Sequence, residues 1–516
     1  MAQTFAQSFA SARRVSAPIV LVRTPDNIAT QKLAVETAFT VKSDKLPASP
    51  LMLSWDFARG LTAILKEQQP SLDALLTKAA LPAAKTVNAT ETLMALLRTA
   101  PVGTITFMHN PHLVWSNPGM VQALANLRDE FKSSLRMIAC LVPLGTEPPN
   151  EIKHDTIAIE DPLPDEARLA EVVRKTITDN GLPAADADLT RATTGVRGLS
   201  AFVAETSVAM SLRAKGVNFE VLRDQRVTAL QSTAGITVHR GSETFADVIG
   251  LEGAKADLIR LKTAKNPVKV IVVLDEFEKV LSGSQAEHGD NTGTAQRQSG
   301  HILRWMQDQK VRGIILFGHP GVGKTWLAKA LANEIGCDCL LAEMDKTMDS
   351  KLGATESRTR AMTDCVDAIG GTGGVFVIAT CNGMAAFTTE MRRRFNRGVY
   401  FVELPSDDVK ASAWTYYCVK FNLPVDQPRP DDTGWTPAEI AVCCEQAYDY
   451  GVSLVEASRN IVPVAKAQPD VIAERRRYAH GKLLDAATGS VYTMPELRAE
   501  QPVGNGGSRT VTNLPE

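Results

Sequence analysis

The segment of residues 313–335 constrains the fold of this chain more than any other, because it reads as a strand, a glycine-rich loop and a helix in direct succession. The loop, GHPGVGKT, spans residues 318–325. Its glycines let backbone amides turn toward one centre, and the positive N-terminal end of the following helix points to the same place. This pattern is typical of a phosphate-binding loop (P-loop). It predicts an α/β fold with a parallel sheet and a nucleotide at the carboxyl end of its strands.

Two polar residues at the end of this loop carry the chemistry that the motif predicts. Lys324 would contact the β- and γ-phosphates of ATP, and the hydroxyl of Thr325 would ligate Mg²⁺. No role is predicted for His319, which lies at a variable position of the loop. The other residues predicted to contact the nucleotide here are Gly318, Pro320, Gly321, Val322, Gly323 and Trp326.

A second apolar segment, VKVIVVLDEF, ends on two adjacent carboxylates, Asp275 and Glu276. ATP hydrolysis needs a carboxylate near the metal and another group that orients and deprotonates the attacking water. Asp275 is therefore predicted to act at Mg²⁺ and Glu276 at the water. The alternative is an apolar strand that simply ends on solvated acids.

The order of these two segments is unusual, because the acidic strand precedes the phosphate-binding loop. Downstream of the loop, the apolar segment GGVFVIATCNG ends on Thr380, Cys381 and Asn382, without a carboxylate. Ligands of a parallel sheet bind at the carboxyl ends of its strands, whatever the order of the strands in the chain. A crossover through a helix in QSGHILRWMQDQ would return the chain to the same edge. The sequence therefore predicts one site built from both segments.

Two further polar features belong to this region. The Asn382 amide could position the water or the γ-phosphate, although an asparagine before a glycine is also common in turns. The run EMRRRFNR adds Arg392, Arg393, Arg394 and Arg397, and a planar guanidinium suits the charge that develops on a γ-phosphate. A solvated basic face is the alternative for this run. The predicted catalytic residues are thus Glu276, Asn382, Arg393 and Arg394.

Composition excludes several classes of protein. With 56 basic and 58 acidic residues the net charge is -2, so no global charge draws the chain to nucleic acid or to an anionic membrane. No apolar run reaches the length of a membrane span, and the eight cysteines contain no C-x-x-C pair. We expect a soluble, cytoplasmic protein with reduced thiols. The first residues, rich in Ala, Ser and Gln, are expected to form a short disordered lead-in.

The motifs together resemble those of AAA+ ATPases. The matching segments are FADVIGLEGAK, GHPGVGKT, LDEFEK, ATCN, RRRFNR and GWTPAEI, across residues 245–450. The resemblance implies a P-loop NTPase sheet with a helical lid, ATP and Mg²⁺ as cofactors, and a homo-oligomeric ring, with a hexamer favoured. It also implies that Asn382 is the sensor 1 residue and that Arg393 or Arg394 reaches a neighbouring subunit's ATP. By the same likeness, Asp247, Ile249 and Gly250 would border the adenine.

The first half of the chain is similar to an AAA+ family of plastid and cyanobacterial genomes that begins with a degenerate ATPase domain. The segments that carry this likeness are TPDNIATQKLA, SWDFARGL and TITFMHNPHLVW. His109 and Asn110 stand where an acidic pair would be, and no glycine cradle precedes them. The resemblance implies that this half binds no nucleotide. The acidic strand upstream of the P-loop resembles rearranged members of the group, in which the Walker B strand precedes the Walker A loop.

Three features depart from the AAA+ pattern. Protein-threading relatives carry an aromatic pore loop where this chain has Lys351, Leu352 and Gly353. Pro437 stands where the lid usually has glycine. The cluster at residues 475–477, three arginines on a predicted helix, is expected to be a solvated face, with a contact to phosphate or nucleic acid as the alternative.

A chain of 516 residues exceeds what one core usually supports, so several domains are expected. The prediction is a degenerate α/β ATPase-like domain at 1–165, a helical subdomain or linker at 166–235, an AAA+ core at 236–405, a helical lid with C-terminal helices at 406–490, and a flexible tail at 491–516.

The function that these features favour is Mg²⁺-dependent ATP hydrolysis coupled to remodelling of an unidentified protein partner. Two alternatives stay open: an ATPase linked to DNA replication or packaging, which the near-neutral charge does not support, and an ATP-gated scaffold that docks partners through its first half.

Overall fold

The computed structural model describes residues 4–41, 45–214, 216–232, 236–278, 294–342, 354–371, 373–383 and 389–495. The chain divides into two compact units, residues 1–234 with 351–369 and residues 235–350 with 370–516. The five-part division stays a prediction. In the described part of the chain, none of the helices has the length and hydropathy to cross a bilayer.

The first unit is built on a six-stranded sheet in the order β3-β2-β4-β5-β1-β6, in which only β2 and β3 pair antiparallel. The strands are β1 (Ile19–Arg23), β2 (Met52–Asp56), β3 (Gly60–Ala63), β4 (Ile105–His109), β5 (Met137–Val142), β6 (Thr156–Glu160) and a separate pair, β7 (Leu212–Arg213) with β8 (Gly216–Val217). The helices are α1 (Phe5–Arg14), α2 (Asn27–Thr40), α3 (Gln69–Ala79), α4 (Ala89–Thr99), α5 (Pro118–Ser133), α6 (Glu166–Asp179), α7 (Asp186–Thr194), α8 (Ala201–Ser211) and α9 (Phe219–Gln231).

Helices cover both faces of this sheet, which explains its uninterrupted apolar strands. Ile19 and Leu21 of β1 belong to one buried cluster, whereas Val20 and Val22 belong to another. Because successive side chains of a strand point to opposite faces, both faces of β1 are packed.

Two expectations for the first unit are wrong. The sequence pattern predicts a strand followed by a helix over residues 50–61. In the structure β2 continues into a hairpin with β3 instead, because the Asp56 carboxylate accepts the amides of Ala58 and Arg59 and closes the turn. The lead-in forms helix α1 rather than a disordered segment, with Phe9 fully buried and the Arg13 guanidinium donating to the carbonyl of Gly103 at 2.6 Å.

The second unit is built on a seven-stranded sheet in the order β15-β14-β11-β13-β10-β12-β9, with β9 antiparallel to β12. The strands are β9 (Ile236–Val238), β10 (Val270–Leu274), β11 (Arg312–Gly318), β12 (Asp338–Ala342), β13 (Val375–Cys381), β14 (Val399–Val402) and β15 (Leu484–Asp485). The helices from here on are α10 (Glu252–Leu258), α11 (Thr294–Asp308), α12 (Lys324–Ile335), α13 (Ala354–Gly370), α14 (Thr389–Arg394), α15 (Asp407–Lys420), α16 (Pro437–Tyr450), α17 (Leu454–Ala457), α18 (Val464–Ala467) and α19 (Pro469–Ala479). The first unit includes α13 up to residue 369.

The two sheets share a spatial strand order but differ in chain order. In the first, β1 lies beside β5, and β4 lies on the far side of β5. In the second, β11 lies beside β13, and β10 lies on the far side of β13. Strand β10, which Asp275 directly follows, thus occupies the position that β4 holds in the first sheet, although β10 precedes β11 in the chain. The connection from β10 to β11 passes through α11 and skips one strand.

The C-terminal part of the second unit contains a strand that the sequence analysis assigned to helices. β15 pairs in parallel with β14, and Gly253 donates its amide to the carbonyl of Ala487 at 2.9 Å. A strand of two residues has no hydrophobic periodicity, so no sequence pattern predicts it. All eight cysteines lie among the described residues, and none of them forms a disulfide.

The packing of this C-terminal segment on α10 predicts opposite effects for two glycine substitutions. A Cβ at Gly253 would lie 2.0 Å from the amide nitrogen of Gly489, whereas a Cβ at Gly300, an exposed position of α11, would meet no heavy atom within 4 Å. We expect Gly253→Ala to destabilise the protein by ~2 kcal/mol. Gly300→Ala should stabilise it by ~0.5–1 kcal/mol through helix propensity. Thermal unfolding measures both, and equal midpoints would contradict the described packing.

Candidate functional site

The glycine loop connects β11 to α12 at the carboxyl edge of the second sheet. Gly321 and Gly323 adopt φ angles of +79° and +90°, a left-handed conformation that favours glycine. Gly318 serves packing instead, because a Cβ there would lie 2.3 Å from the carbonyl oxygen of Val402 on β14. The loop geometry therefore depends on glycine for two separate reasons.

Lys324 is buried at the first position of α12 and connects the loop to β13. Its Nζ donates to the carbonyls of Gly318 at 3.2 Å and His319 at 2.6 Å, and to Oδ1 of Asn382 at 2.8 Å. Burial lowers the pKa of Lys324 to about 8. The structure thus brings Asn382 and the loop lysine into direct contact.

The carboxylate of Asp275 lies at the start of the same helix. Its Oδ1 accepts hydrogen bonds from the Thr325 hydroxyl at 2.8 Å and from the Thr380 hydroxyl at 2.5 Å. The amide of Glu276 in turn donates to the Thr380 hydroxyl at 3.0 Å, and Glu276 has a φ of +49°, which is uncommon for a residue with a side chain. Thr380, on the strand between β10 and β11, therefore joins the acidic segment to the loop.

These groups face a cavity of about 590 Å³, a volume within the range of small-molecule sites. Its lining combines the loop and Lys324 with apolar side chains, among them Val248, Tyr417 and Phe421. Phosphate-binding groups together with apolar groups fit a nucleotide, and Thr325 with Asp275 provides the oxygen ligands that Mg²⁺ prefers. The predicted residues that line the cavity are Asp247, Ile249, Asp275, Glu276, Pro320, Gly321, Val322, Gly323, Lys324, Thr325, Trp326 and Asn382.

Other predicted residues lie elsewhere. Gly250 borders a neighbouring cavity of about 700 Å³, and Arg393 and Arg394 lie on α14, outside the lining of the first cavity. The carboxylate of Asp247 is engaged within the protein, since it accepts from the Tyr416 hydroxyl at 2.7 Å and from the amide of Thr244 at 2.7 Å. The predicted substitute for the pore loop, residues 351–353, lies outside the described residues.

Sequence reasoning missed Glu278, two residues beyond Glu276. Its Oε1 accepts the amide of Asn382 at 3.0 Å, so this carboxylate holds the end of β13 in place. The segment LDEFEK contained the signal, because Glu278 lies only two positions after Glu276 at the same end of β10. Sequence reasoning also missed Lys420 of α15, which lines the cavity. Its Nζ lies 5.6–6.0 Å from the ring centres of Trp326, Tyr416 and Tyr417.

The arginine cluster at residues 475–477 is not the uniform solvated face that was expected. Arg475 contacts the ring of His319 in the loop, with Nη1 to Nδ1 at 3.1 Å. Arg476 makes two hydrogen bonds to the carboxylate of Glu403, at 2.9 and 3.0 Å. Only Arg477 is exposed. Glu403 lies 73 residues from Arg476, and His319 lies 156 residues from Arg475. A local sequence pattern cannot predict contacts between residues this far apart in the chain.

The matching edge of the first sheet is filled by its own side chains. The loop between β1 and α2 is only residues 24–26, whereas the glycine loop between β11 and α12 is residues 319–323. Asp26 caps α2 by accepting the amide of Ala29 at 3.0 Å. Nδ2 of Asn27 donates to Asn110 at 3.1 Å, and His109 contacts Gln31 of α2. A helix N-terminus that holds its own carboxylate is a poor site for phosphate.

Comparison with known protein families agrees with this geometry. Residues 314–369 match the family described as "ATPase family associated with various cellular activities (AAA)". Residues 5–160 match "SpoVK-like AAA ATPase, N-terminal domain". The likeness to AAA ATPases thus covers the segment that begins in β11 and most of the first α/β unit. The second unit has a P-loop NTPase fold, preceded in the chain by an additional α/β unit, and the AAA match begins after β10, so it does not include Asp275 and Glu276.

Several archaeal proteins are similar to parts of the chain. Protein SAV of Sulfolobus acidocaldarius is 27% identical over 188 residues, covering 27% of this chain and 24% of that protein. A Cell division cycle protein 48 homolog of Archaeoglobus fulgidus is 38% identical over 61 residues, covering 12% of this chain and 8% of that protein. A protein of Methanocaldococcus jannaschii named as a 26S proteasome regulatory subunit homolog is 21% identical over 214 residues, covering 33% of this chain and 55% of that protein. The chain thus spans about half or less of the length of each of these relatives.

The burial of His319 predicts a specific sensitivity to acid. Desolvation lowers its pKa from 6.5 to about 4, against the opposing charge of Glu403 and assisted by Arg475, Arg476 and Lys324. Between pH 6.5 and pH 4 the His319 imidazole therefore binds a proton in the unfolded chain but not in the folded protein. The free energy of unfolding falls as the pH falls through this range. For this residue the loss between pH 7 and pH 5 is ~2 kcal/mol. Urea denaturation of the wild type and His319→Phe at both pH values should show that difference, and identical pH dependence of the two proteins would contradict it.

Proposed function

We propose that this AAA protein is a Mg²⁺-dependent ATPase in which β10, encoded upstream of the phosphate-binding loop, supplies the acidic residues of the site. The observation that carries the proposal is the 2.8 Å hydrogen bond between the Thr325 hydroxyl and the Asp275 carboxylate. Those two groups would hold Mg²⁺, which neutralises charge on the phosphates when bound. The rearranged order of Walker B and Walker A then has a physical basis, because the strand positions rather than the chain order decide which side chains meet.

The other residues of the site have separate tasks. Lys324 holds the β- and γ-phosphates, and the glycine loop donates its amides to them. Glu276 orients the attacking water and takes its proton as the new bond to the γ-phosphorus forms and the bond to the ADP oxygen breaks. Asn382, fixed by Glu278 through its amide and by Lys324 through its side chain, positions the γ-phosphate or the water.

The position of the arginine run supports assembly of the chain into a ring. Arg393 is exposed on α14 and does not line the cavity of its own chain, which suits a residue that acts on the ATP of a neighbour. Arg392 instead donates to the Tyr478 hydroxyl at 3.1 Å. We therefore assign the finger to Arg393, or to Arg394 beside it, in a homo-oligomeric ring with six subunits favoured. Ring assembly is also common among AAA ATPases.

The action of the ring is proposed to be remodelling of a protein partner. Two of the relatives are named for the cell division cycle protein 48 and for a 26S proteasome regulatory subunit. The net charge of -2 gives no support to a nucleic-acid substrate. The first unit, whose matching edge is closed by Asp26 and the Asn27–Asn110 hydrogen bond, is proposed to bind no nucleotide.

The roles of the two nearby glutamates predict a clear difference between Glu276→Gln and Glu278→Gln. Glu276→Gln should lower kcat for ATP hydrolysis by ~10²-fold or more, because it removes the base, and should leave the dissociation constant of ATP nearly unchanged. Glu278→Gln keeps an acceptor for the amide of Asn382 and should lower kcat by less than ~10-fold. Steady-state turnover and equilibrium binding of a fluorescent ATP analogue measure both quantities.

Lys324→Ala is the control for binding, since it should lose affinity for ATP as well as turnover. A larger loss of kcat in Glu278→Gln than in Glu276→Gln would transfer the base to Glu278. Equal loss of binding and turnover in Glu276→Gln would mean that this carboxylate is structural.

A further inference from the structure

Helix α19, near the C-terminal end of the described chain, contacts the phosphate-binding loop. Nη1 of Arg475 lies 3.1 Å from Nδ1 of His319, a loop residue whose side chain is fully buried. Arg475 is itself half-buried. Neither residue lines the nucleotide cavity, so neither had a role in the site described above.

This contact contributes little to stability. Burial holds the pKa of His319 at about 4, so its ring is neutral at neutral pH and the contact joins a cation to an uncharged acceptor. Burial also lowers the pKa of Arg475, which reflects the cost of removing its charge from water. The charges of Glu278 and Glu474 offset only part of that cost, and no ion pair is formed by Arg475 among the described residues. What the contact supplies is a fixed geometry.

Arg475 makes the hydrogen bond that orients the His319 ring. A guanidinium has only donors, so Nδ1 of His319 must accept and the proton of the neutral ring is on Nε2. Among the described residues Nε2 has no hydrogen-bond partner, and it lies 3.8 Å from Oε1 of Glu403. That carboxylate is held by two hydrogen bonds from Arg476 and one from the Tyr492 hydroxyl. Arg475 therefore orients the imidazole directly, and the Glu403 carboxylate lies nearby without a hydrogen bond to it.

The backbone of the same histidine contacts the loop lysine. The carbonyl of His319 accepts from Nζ of Lys324 at 2.6 Å, the shortest of that lysine's three hydrogen bonds. The His319 ring is fully buried, packs edge-on against Phe401 and is hydrogen-bonded to Arg475, so its position constrains the Cα and carbonyl of the same residue within a loop of five residues. The position of Lys324 thus depends on where the His319 ring is held.

We propose that Arg475 is a positioning residue of the nucleotide site and acts through His319 on the loop that holds Lys324. The proposal rests on the proposed function, in which Lys324 binds the phosphates. It makes helix α19 an integral part of the ATPase site, so that any displacement of this helix changes nucleotide affinity.

The test compares Arg475→Gln with Arg477→Gln in the full-length protein. Arg477 lies on the same helix but is exposed, and its Nε donates only to the carbonyl of Ala473 in that helix. Calorimetric titration with MgADP should show about tenfold weaker binding for Arg475→Gln, as expected for the loss of a charge-assisted hydrogen bond. Arg477→Gln should bind within about twofold of the wild type. Equal affinities for both variants would overturn the proposal.

A double-mutant cycle with His319→Phe tests whether Arg475 acts through the ring. Phenylalanine keeps the ring volume beside Phe401 and removes the acceptor. If the two residues act as one unit, the double variant should bind MgADP no more weakly than the weaker single variant. Additive losses would overturn the proposed route. In turnover, KM for ATP should rise in parallel with the dissociation constant while kcat changes by less than about threefold.

A loss of folding is distinguished by a second variant. If Arg475→Gln lowers the thermal midpoint by more than about 5 °C, the test uses His319→Phe instead. That variant must then bind MgADP about tenfold more weakly than the wild type. Normal affinity in His319→Phe would then overturn the proposal. Failure of the proposed function has a different signature, because Lys324→Ala would in that case bind MgADP as tightly as the wild type.

Discussion

The site depends on one cluster of hydrogen bonds, in which Asp275 accepts from both Thr325 and Thr380. Thr380 belongs to β13, the strand that separates β10 from β11, and it also accepts the amide of Glu276. An acidic segment encoded some 50 residues before the loop threonine is thereby held against the start of α12. The bridge is needed because β10 does not adjoin β11 in the sheet. The strand downstream of the loop, β13, ends without a carboxylate, so β10 supplies the acidic residues that lie near the loop.

The two sheets show the same strand order with different chemical outcomes. At the edge of the second sheet, left-handed glycines leave backbone amides and a lysine facing a cavity. At the edge of the first, the loop has only three residues, and the Asp26 carboxylate accepts an amide at the N-terminus of α2. His109 and Asn110 also contact α2 there. A shared strand order is therefore not enough to make a phosphate-binding site. Such a site also needs a loop of sufficient length and a helix N-terminus that is not capped by a side chain of the protein itself.

Much of the fold could be predicted from the sequence, since the buried strands of both sheets are apolar runs bounded by polar residues. The loop, its lysine and the proximity of Asp275 to Thr325 also followed from local pattern and from the rule that ligands meet at the carboxyl ends of strands. Helix α1 could not be predicted, because the guanidinium of its Arg13 donates to a carbonyl 90 residues away. The hairpin at SWDFARGL had a local signal that the sequence analysis did not use, since the Asp56 carboxylate accepts amides only two and three residues away, as is typical of a turn. The Arg475–His319 contact had no local signal at all, since the polar pattern of α19 is the same for a solvated helix as for one that contacts the loop.

The most direct test of the central claim is the Mg²⁺ dependence of ATP turnover in Asp275→Asn beside the wild type. If the carboxylate of β10 acts at the metal, the Mg²⁺ concentration for half-maximal turnover should rise about tenfold or more, while ATP binding measured in EDTA should not change. An unchanged Mg²⁺ requirement would contradict the account, because it would mean that the strand upstream of the phosphate-binding loop takes no part in holding the metal.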